Sequence, residues 1–113
     1  MAAILGLDIS KETVDACLID AAGEHSKKVS NNAKGFEQLK RWLQNRRVKE
    51  VHVCMEATGS YYEGAAEAFS DACYMVSVVN PRQIKSFSET LLLRAKTDKI
   101  DANLIARFCG AHH

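Results

Sequence analysis

Residues 2–19, AAILGLDISKETVDACLI, read as two strands joined by a very short link, and the rest of the chain is built outward from them. Ile4, Leu5 and Leu7 make a short apolar run closed by Ser10 and Lys11, the pattern of a buried strand from Ala2 to Ile9 with Asp8 near its end. Glu12 to Ile19 alternates Val14, Ala16 and Leu18 against Thr13, Asp15 and Cys17, which is a second strand. The link Ser10-Lys11 favours an antiparallel hairpin.

The turn Asp20-Ala-Ala-Gly23 leads into Glu24 to Ser30, whose polar alternation suits an exposed edge strand. A helix then begins at Asn32 or Lys34 and runs to about Arg46, with Phe36, Leu39 and Leu43 at helical spacing. Glu50 to Met55 is a strand in which Val51, Val53 and Met55 alternate with His52 and Cys54, and Glu56 stands at its carboxyl end. Ala57-Thr-Gly59 turns into a helix from about Ser60 to Ala72, with Tyr62, Ala65, Ala66 and Phe69 as its apolar face. Tyr74 to Val79 is a further strand, and Pro81 suits the first position of a helix reaching about Thr90. Leu91 to Lys96 reads as a loop or short helical extension, and Thr97 to Phe108 as the last helix, stopped at Gly110.

A three-strand meander followed by right-handed crossovers predicts an α/β fold. Its five-stranded mixed sheet would have the order 3-2-1-4-5, with helices on both faces. The first and fourth strands are then parallel neighbours, so Asp8 and Glu56 come to the same sheet edge, where ligands of such sheets collect.

The 113 residues suffice for one domain. With 47% apolar and 26% charged residues the composition is that of an ordinary globular chain, and no apolar run approaches the ~20 residues of a membrane span. The start lacks a basic region and puts Asp8 inside its apolar run, unlike a signal peptide, so the expected location is the cytoplasm. Cys17, Cys54, Cys73 and Cys109 lie far apart without a C-x-x-C pair, which favours reduced core thiols over disulfides or zinc ligands. His52 reads as an outward strand residue, and His112 and His113 as a frayed end. A net charge of +1 does not by itself indicate a nucleic-acid partner, but basic residues crowd Lys40 to Lys49 and Arg82 to Lys99.

The stretch Lys96 to Ala106, KTDKIDANLIA, carries the chemistry. At about 100° per residue, Asp98, Asp101, Ile105 and Phe108 fall on one stripe, so two acids continue an apolar face and need a compensating partner. A simpler reading makes Asp98 a helix cap and Asp101 an acid favoured by the helix dipole. Taken singly, Asp8 reads equally as a turn residue and Glu56 as an acid before a helix. If all four meet, they must take up protons or bind metal, and hard oxygen ligands on rigid elements suit Mg²⁺ or Mn²⁺. Two such ions about 3.5–4 Å apart are a recurrent arrangement for phosphoryl transfer.

Gly-Leu-Asp8-Ile-Ser-Lys, Met-Glu56-Ala-Thr-Gly-x-Tyr and Lys-Thr-Asp98-Lys-Ile-Asp101-Ala together resemble the Asp-Glu-Asp-Asp insertion-sequence transposases, relatives of the Piv site-specific invertases. The resemblance is to their N-terminal domain and covers essentially the whole chain. It implies a ribonuclease H-like, RuvC-like fold over residues 1–113, with Asp8, Glu56, Asp98 and Asp101 as catalytic, metal-binding acids. It also implies Mg²⁺ or Mn²⁺ as a pair of ions, DNA as partner, and for some members a guide RNA. Family members continue into a second domain bearing a nucleophilic serine, absent from these residues, and the full-length protein is expected to be a homo-oligomer.

Lys11, Arg94, Lys96 and Lys99 are the candidates to hold DNA phosphates, against a competing role in charge balance. Tyr61 and Tyr62 follow the Ala-Thr-Gly turn, and helical spacing sends one of them to the core. Leu91 to Leu93, if exposed, would be a docking surface. Two alternatives stand beside the transposase reading: a RuvC-like Holliday-junction resolvase or nuclease using water, and a non-catalytic nucleic-acid-binding or dimerisation module.

Overall fold

The computed structural model describes residues 2–57, 59–90 and 100–112. Three strands come first, β1 (Ala3–Ile9), β2 (Thr13–Asp20) and β3 (Gly23–Ser30), then helix α1 (Ala33–Asn45). Strand β4 (Val51–Glu56), helix α2 (Glu63–Asp71), strand β5 (Met75–Val79) and helices α3 (Pro81–Thr90) and α4 (Ala102–His112) follow. The sheet order is β3-β2-β1-β4-β5, as the sequence predicts. β1 and β2 pair antiparallel, as do β2 and β3, whereas β1–β4 and β4–β5 are parallel.

Local chemistry closes each turn. Ser10 and Thr13 exchange contacts across the first hairpin, the Ser10 amide donating to the Thr13 carbonyl at 2.9 Å. In the second, Asp20 Oδ1 accepts the Ala22 amide at 2.8 Å, and Gly23 takes a φ of 122° that a side chain would resist. Asn32 caps α1 by accepting the Gly35 amide at 2.9 Å.

Strand alternation divides the apolar residues between two cores. Leu5, Leu7, Val14, Leu18, Val53 and Met55 face α1 and α2, meeting Phe36, Leu39, Leu43 and Phe69. On the other face Cys54, Val79 and Ile84 pack with Ile105, Phe108 and Cys109 of α4. Each fully buried Leu or Phe contributes about 1.5–3 kcal/mol, so truncating Leu5 to Ala would cost about 2–5 kcal/mol.

β4 lies between both cores and is buried from Val51 to Met55. His52 is therefore 9% exposed rather than outward, because α4 covers the face that alternation assigns to it. The cysteine expectation also changes: Cys54 and Cys109 form a disulfide joining β4 to α4, while Cys17 is a buried thiol and Cys73 an exposed one.

α4 begins at Ala102, later than the periodicity suggests, because Asp101 turns its carboxylate onto the helix end and accepts the Leu104 amide at 2.9 Å. The helix also runs past Gly110, where a Cβ would meet Ile4 Cδ1 at 3.0 Å, so this glycine gives close approach to β1 instead of a stop. α2 starts at Glu63, after a turn in which the Glu63 amide reaches the Ser60 carbonyl. Among the described residues, no helix is long and apolar enough to cross a membrane.

Candidate functional site

The pairing of β1 with β4 sets Leu7 opposite Met55, so Asp8 and Glu56 are the next residues on two neighbouring parallel strands. Leu7 and Met55 point into the α1/α2 core, and alternation sends Asp8 and Glu56 toward the face covered by α4. Both acids are partly exposed. The loops beyond this edge are tied together by Asn31, whose side-chain amide donates to the carbonyls of Ser10 at 2.9 Å and Tyr61 at 3.1 Å. Tyr61 is 49% exposed, while Tyr62 packs against the core.

α4 brings Asp101 to the same edge. Gly6 makes this possible: a Cβ there would run into the Ala102 carbonyl and lie 2.6 Å from the Ala106 amide nitrogen. The helix start thus rests on the β1 backbone two residues before Asp8. Asp8 and Asp101 line one open cleft of about 500 Å³. Asp101 is exposed, and the cap bond to Leu104 uses Oδ1, leaving Oδ2 for a ligand.

Two further acids border the cleft, Asp15 and Glu24. Asp15 stands directly across the antiparallel pair from Asp8, a like-charge juxtaposition that costs stability unless compensated. Lys28 lies 3.7 Å from Asp15, and Arg107 3.7 Å from Glu24. Asn103 fixes the first turn of α4 by donating to Glu24 Oε1 at 3.0 Å and to Cys17 Sγ at 3.6 Å. Burial pushes the Cys17 thiol above its ordinary pKa, against the opposing pull of the Asn103 amide.

The structure therefore brings Asp8, Glu56 and Asp101 to one edge, with Lys11 exposed in the adjoining hairpin turn. Asp98, Arg94, Lys96, Lys99 and Leu91 to Leu93 lie outside the described residues. Sequence reasoning missed Asp15, Glu24, Asn103 and Asn31, whose parts appear only once β2, β3 and α4 are assembled. Gly6, a side-chain-free position inside a buried strand, was a readable signal.

A transposase family profile of the DEDD, IS110 type matches residues 5–113. The chain belongs to the IS110-type DEDD transposase family. The pilin gene-inverting proteins of Moraxella lacunata and Moraxella bovis are each 39% identical to this chain over 106 residues. That match takes in 92% of this chain but 33% of each relative, so this transposase-family chain spans about a third of their length. Among solved structures, RuvC of Thermus thermophilus in complex with a Holliday junction substrate superposes with a TM-score of 0.65. The superposition covers 98% of this chain and 96% of that one at 13% identity, which establishes the RuvC-like, ribonuclease H-like fold for this family member. The Asp-Glu-Asp-Asp resemblance and the sheet order thus meet in one family and one fold.

Proposed function

We propose that this domain is the metal-binding part of a DNA transposase or recombinase. Its Asp8, Glu56 and Asp101, with Asp98, would hold Mg²⁺ or Mn²⁺, as two ions, for DNA strand cleavage and rejoining. The observation that carries the reading is the cleft shared by Asp8 and Asp101, with Glu56 beside Asp8 on the neighbouring parallel strand. The donor set fits the ions: carboxylate oxygens are hard ligands, and they sit on two rigid strand ends and a helix cap. Bound ions of this kind stabilise charge on attacking and leaving oxygens during phosphoryl transfer.

The chain's own residues do the positioning. Asp8 is fixed by its pairing with Asp15 in the β1–β2 ladder, Glu56 by its pairing with Val79 in the β4–β5 ladder, and Asp101 by its bond to the Leu104 amide. Asn103 and Arg107 hold the helix start against Glu24. Lys11, Arg94, Lys96 and Lys99 would receive DNA phosphates on either side of the cleavage point. In this reading the nucleophile is a serine from a second domain. A guide RNA, a homo-oligomeric full-length protein and a cytoplasmic location belong to the same proposal. Family membership supports the DNA substrate.

Calorimetric titration of Mn²⁺ or Mg²⁺ into the chain and into the Asp8→Ala, Asp101→Ala double variant tests the site. Saturable binding lost in the double variant is the expected result; equal weak binding by both overturns it. Metal-dependent nicking of branched DNA by this chain alone would favour a resolvase that attacks with water. DNA binding that survives loss of the acids and of metal would favour a non-catalytic module.

A further inference from the structure

A second group of ligating atoms lies in the core between β4 and α4, on other residues than the acidic cleft. His52, Cys54 and Cys109 are all buried, and one ligand atom from each falls within 4.8 Å of the others. Ser77 Oγ is 2.7 Å from His52 Nε2, while His52 Nδ1 lies 3.3 Å from Cys109 Sγ. The surroundings are apolar, with Val79, Ile84, Ile105 and Phe108 in the same cluster. Packing alone would be served by aliphatic residues there, and an imidazole carries a desolvation cost that its position must offset.

We propose that, once the Cys54–Cys109 disulfide is reduced, His52, Cys54 and Cys109 form a binding site for one thiophilic d¹⁰ cation of the zinc or copper(I) type. Two thiolates and an imidazole are the soft and borderline donors that such ions select, and they come from two elements already in contact. Ser77 orients the imidazole through Nε2, the supporting contact that metal-bound histidines characteristically make. A divalent ion with two thiolates is also neutral overall, which removes the penalty of charge in an apolar core.

The chemistry balances in two steps. A dithiol reductant passes two electrons and two protons to the disulfide, giving two protein thiols and the reductant's cyclic disulfide. The cation then displaces one proton from each thiol and binds His52 through its unprotonated ring nitrogen. A bound ion would join the strand carrying Glu56 to the helix capped by Asp101. The inference stands or falls independently of Mg²⁺ binding at the acids.

The test uses the 113-residue chain, reduced anaerobically and freed of reductant, with Cd²⁺ as the probe. The expected result is one equivalent of Cd²⁺ with thiolate-to-cadmium charge-transfer absorption, lost in Cys54→Ser and in Cys109→Ser. Ser77→Ala weakens binding about 10–100-fold. Cys73→Ser leaves the band unchanged, as does Asp8→Asn, which separates this site from the acidic cleft. Mass-spectrometric mapping of alkylation in the wild-type chain, in urea sufficient to open the core, gives a readout that needs no variant: Cd²⁺ protects Cys54 and Cys109, and leaves Cys73 reactive. No band in the reduced wild-type chain, a band that persists in both Cys→Ser variants, or alkylation of Cys54 and Cys109 in urea unaffected by Cd²⁺ overturns the proposal.

Discussion

Gly6 and Ala106 touch so closely that a Cβ on the glycine would lie 2.6 Å from the alanine's amide nitrogen. The obstacle is helix backbone, which cannot rotate aside, so any side chain at position 6 must push α4 off the sheet. Gly6→Val is expected to cost about 1–3 kcal/mol in urea unfolding. Its second effect is on Mn²⁺ affinity, which should fall although no acid has been altered, because Asp101 moves with the helix. Unchanged affinity in a folded Gly6→Val chain would mean that Asp101 takes no part in the site.

Asp101 caps α4 and, in the proposed site, would also bind metal; two substitutions part these tasks. Asparagine caps helices about as well as aspartate, so Asp101→Asn should keep the bond to the Leu104 amide and leave stability within a few tenths of a kcal/mol. Asp101→Ala loses that bond and should cost about 1 kcal/mol. Both should bind Mn²⁺ far more weakly than wild type. Calorimetry beside denaturant curves checks the pair.

Metal binding should be visible as stability. A ligand present at a hundredfold its Kd stabilises the folded state by about 2.7 kcal/mol, so saturating Mn²⁺ should raise the wild-type midpoint. In Asp8→Asn that increment should vanish. The comparison is of each protein with and without metal, so any change in the apo stability of the variant does not enter.

Asp20 offers a pH signature away from the cleft. Partial desolvation pushes its carboxyl up, but the His25 ring at 3.1 Å and the Ala22 amide outweigh it and hold the pKa below the ordinary value. The folded state therefore binds fewer protons at this group than the unfolded one near its titration. The resulting stabilisation is present above the ordinary Asp pKa of about 3.9 and is lost as pH falls through the lowered value. Asp20→Asn should be less stable than wild type near neutrality, and the gap between the two denaturation curves should narrow below pH ~4.

The sheet was legible because its signals are local: a short link forces a hairpin, and crossover handedness then leaves one strand order. Asp8 and Glu56 became neighbours by that logic alone. The helix bearing Asp101 was legible as a helix but not in its start, since helical spacing cannot reveal that a carboxylate folds back onto its own helix end. His52 and the two bridged cysteines were misread for a different reason. Alternation on β4 tells which residues share a face, and whether that face meets water depends on where α4 docks. Gly6 was the residue that recorded the docking.

The order in which the chain is made adds a consequence to the placement of α4. Asp8 leaves the ribosome with the first strand, and Glu56 joins it when β4 emerges, but Asp101 and the helix that covers Gly6 come after every other described element. A growing polypeptide thus holds two of the acids for much of its synthesis without the third. The cleft that Asp8 and Asp101 line is therefore complete only after α4 has been synthesised and has docked on Gly6.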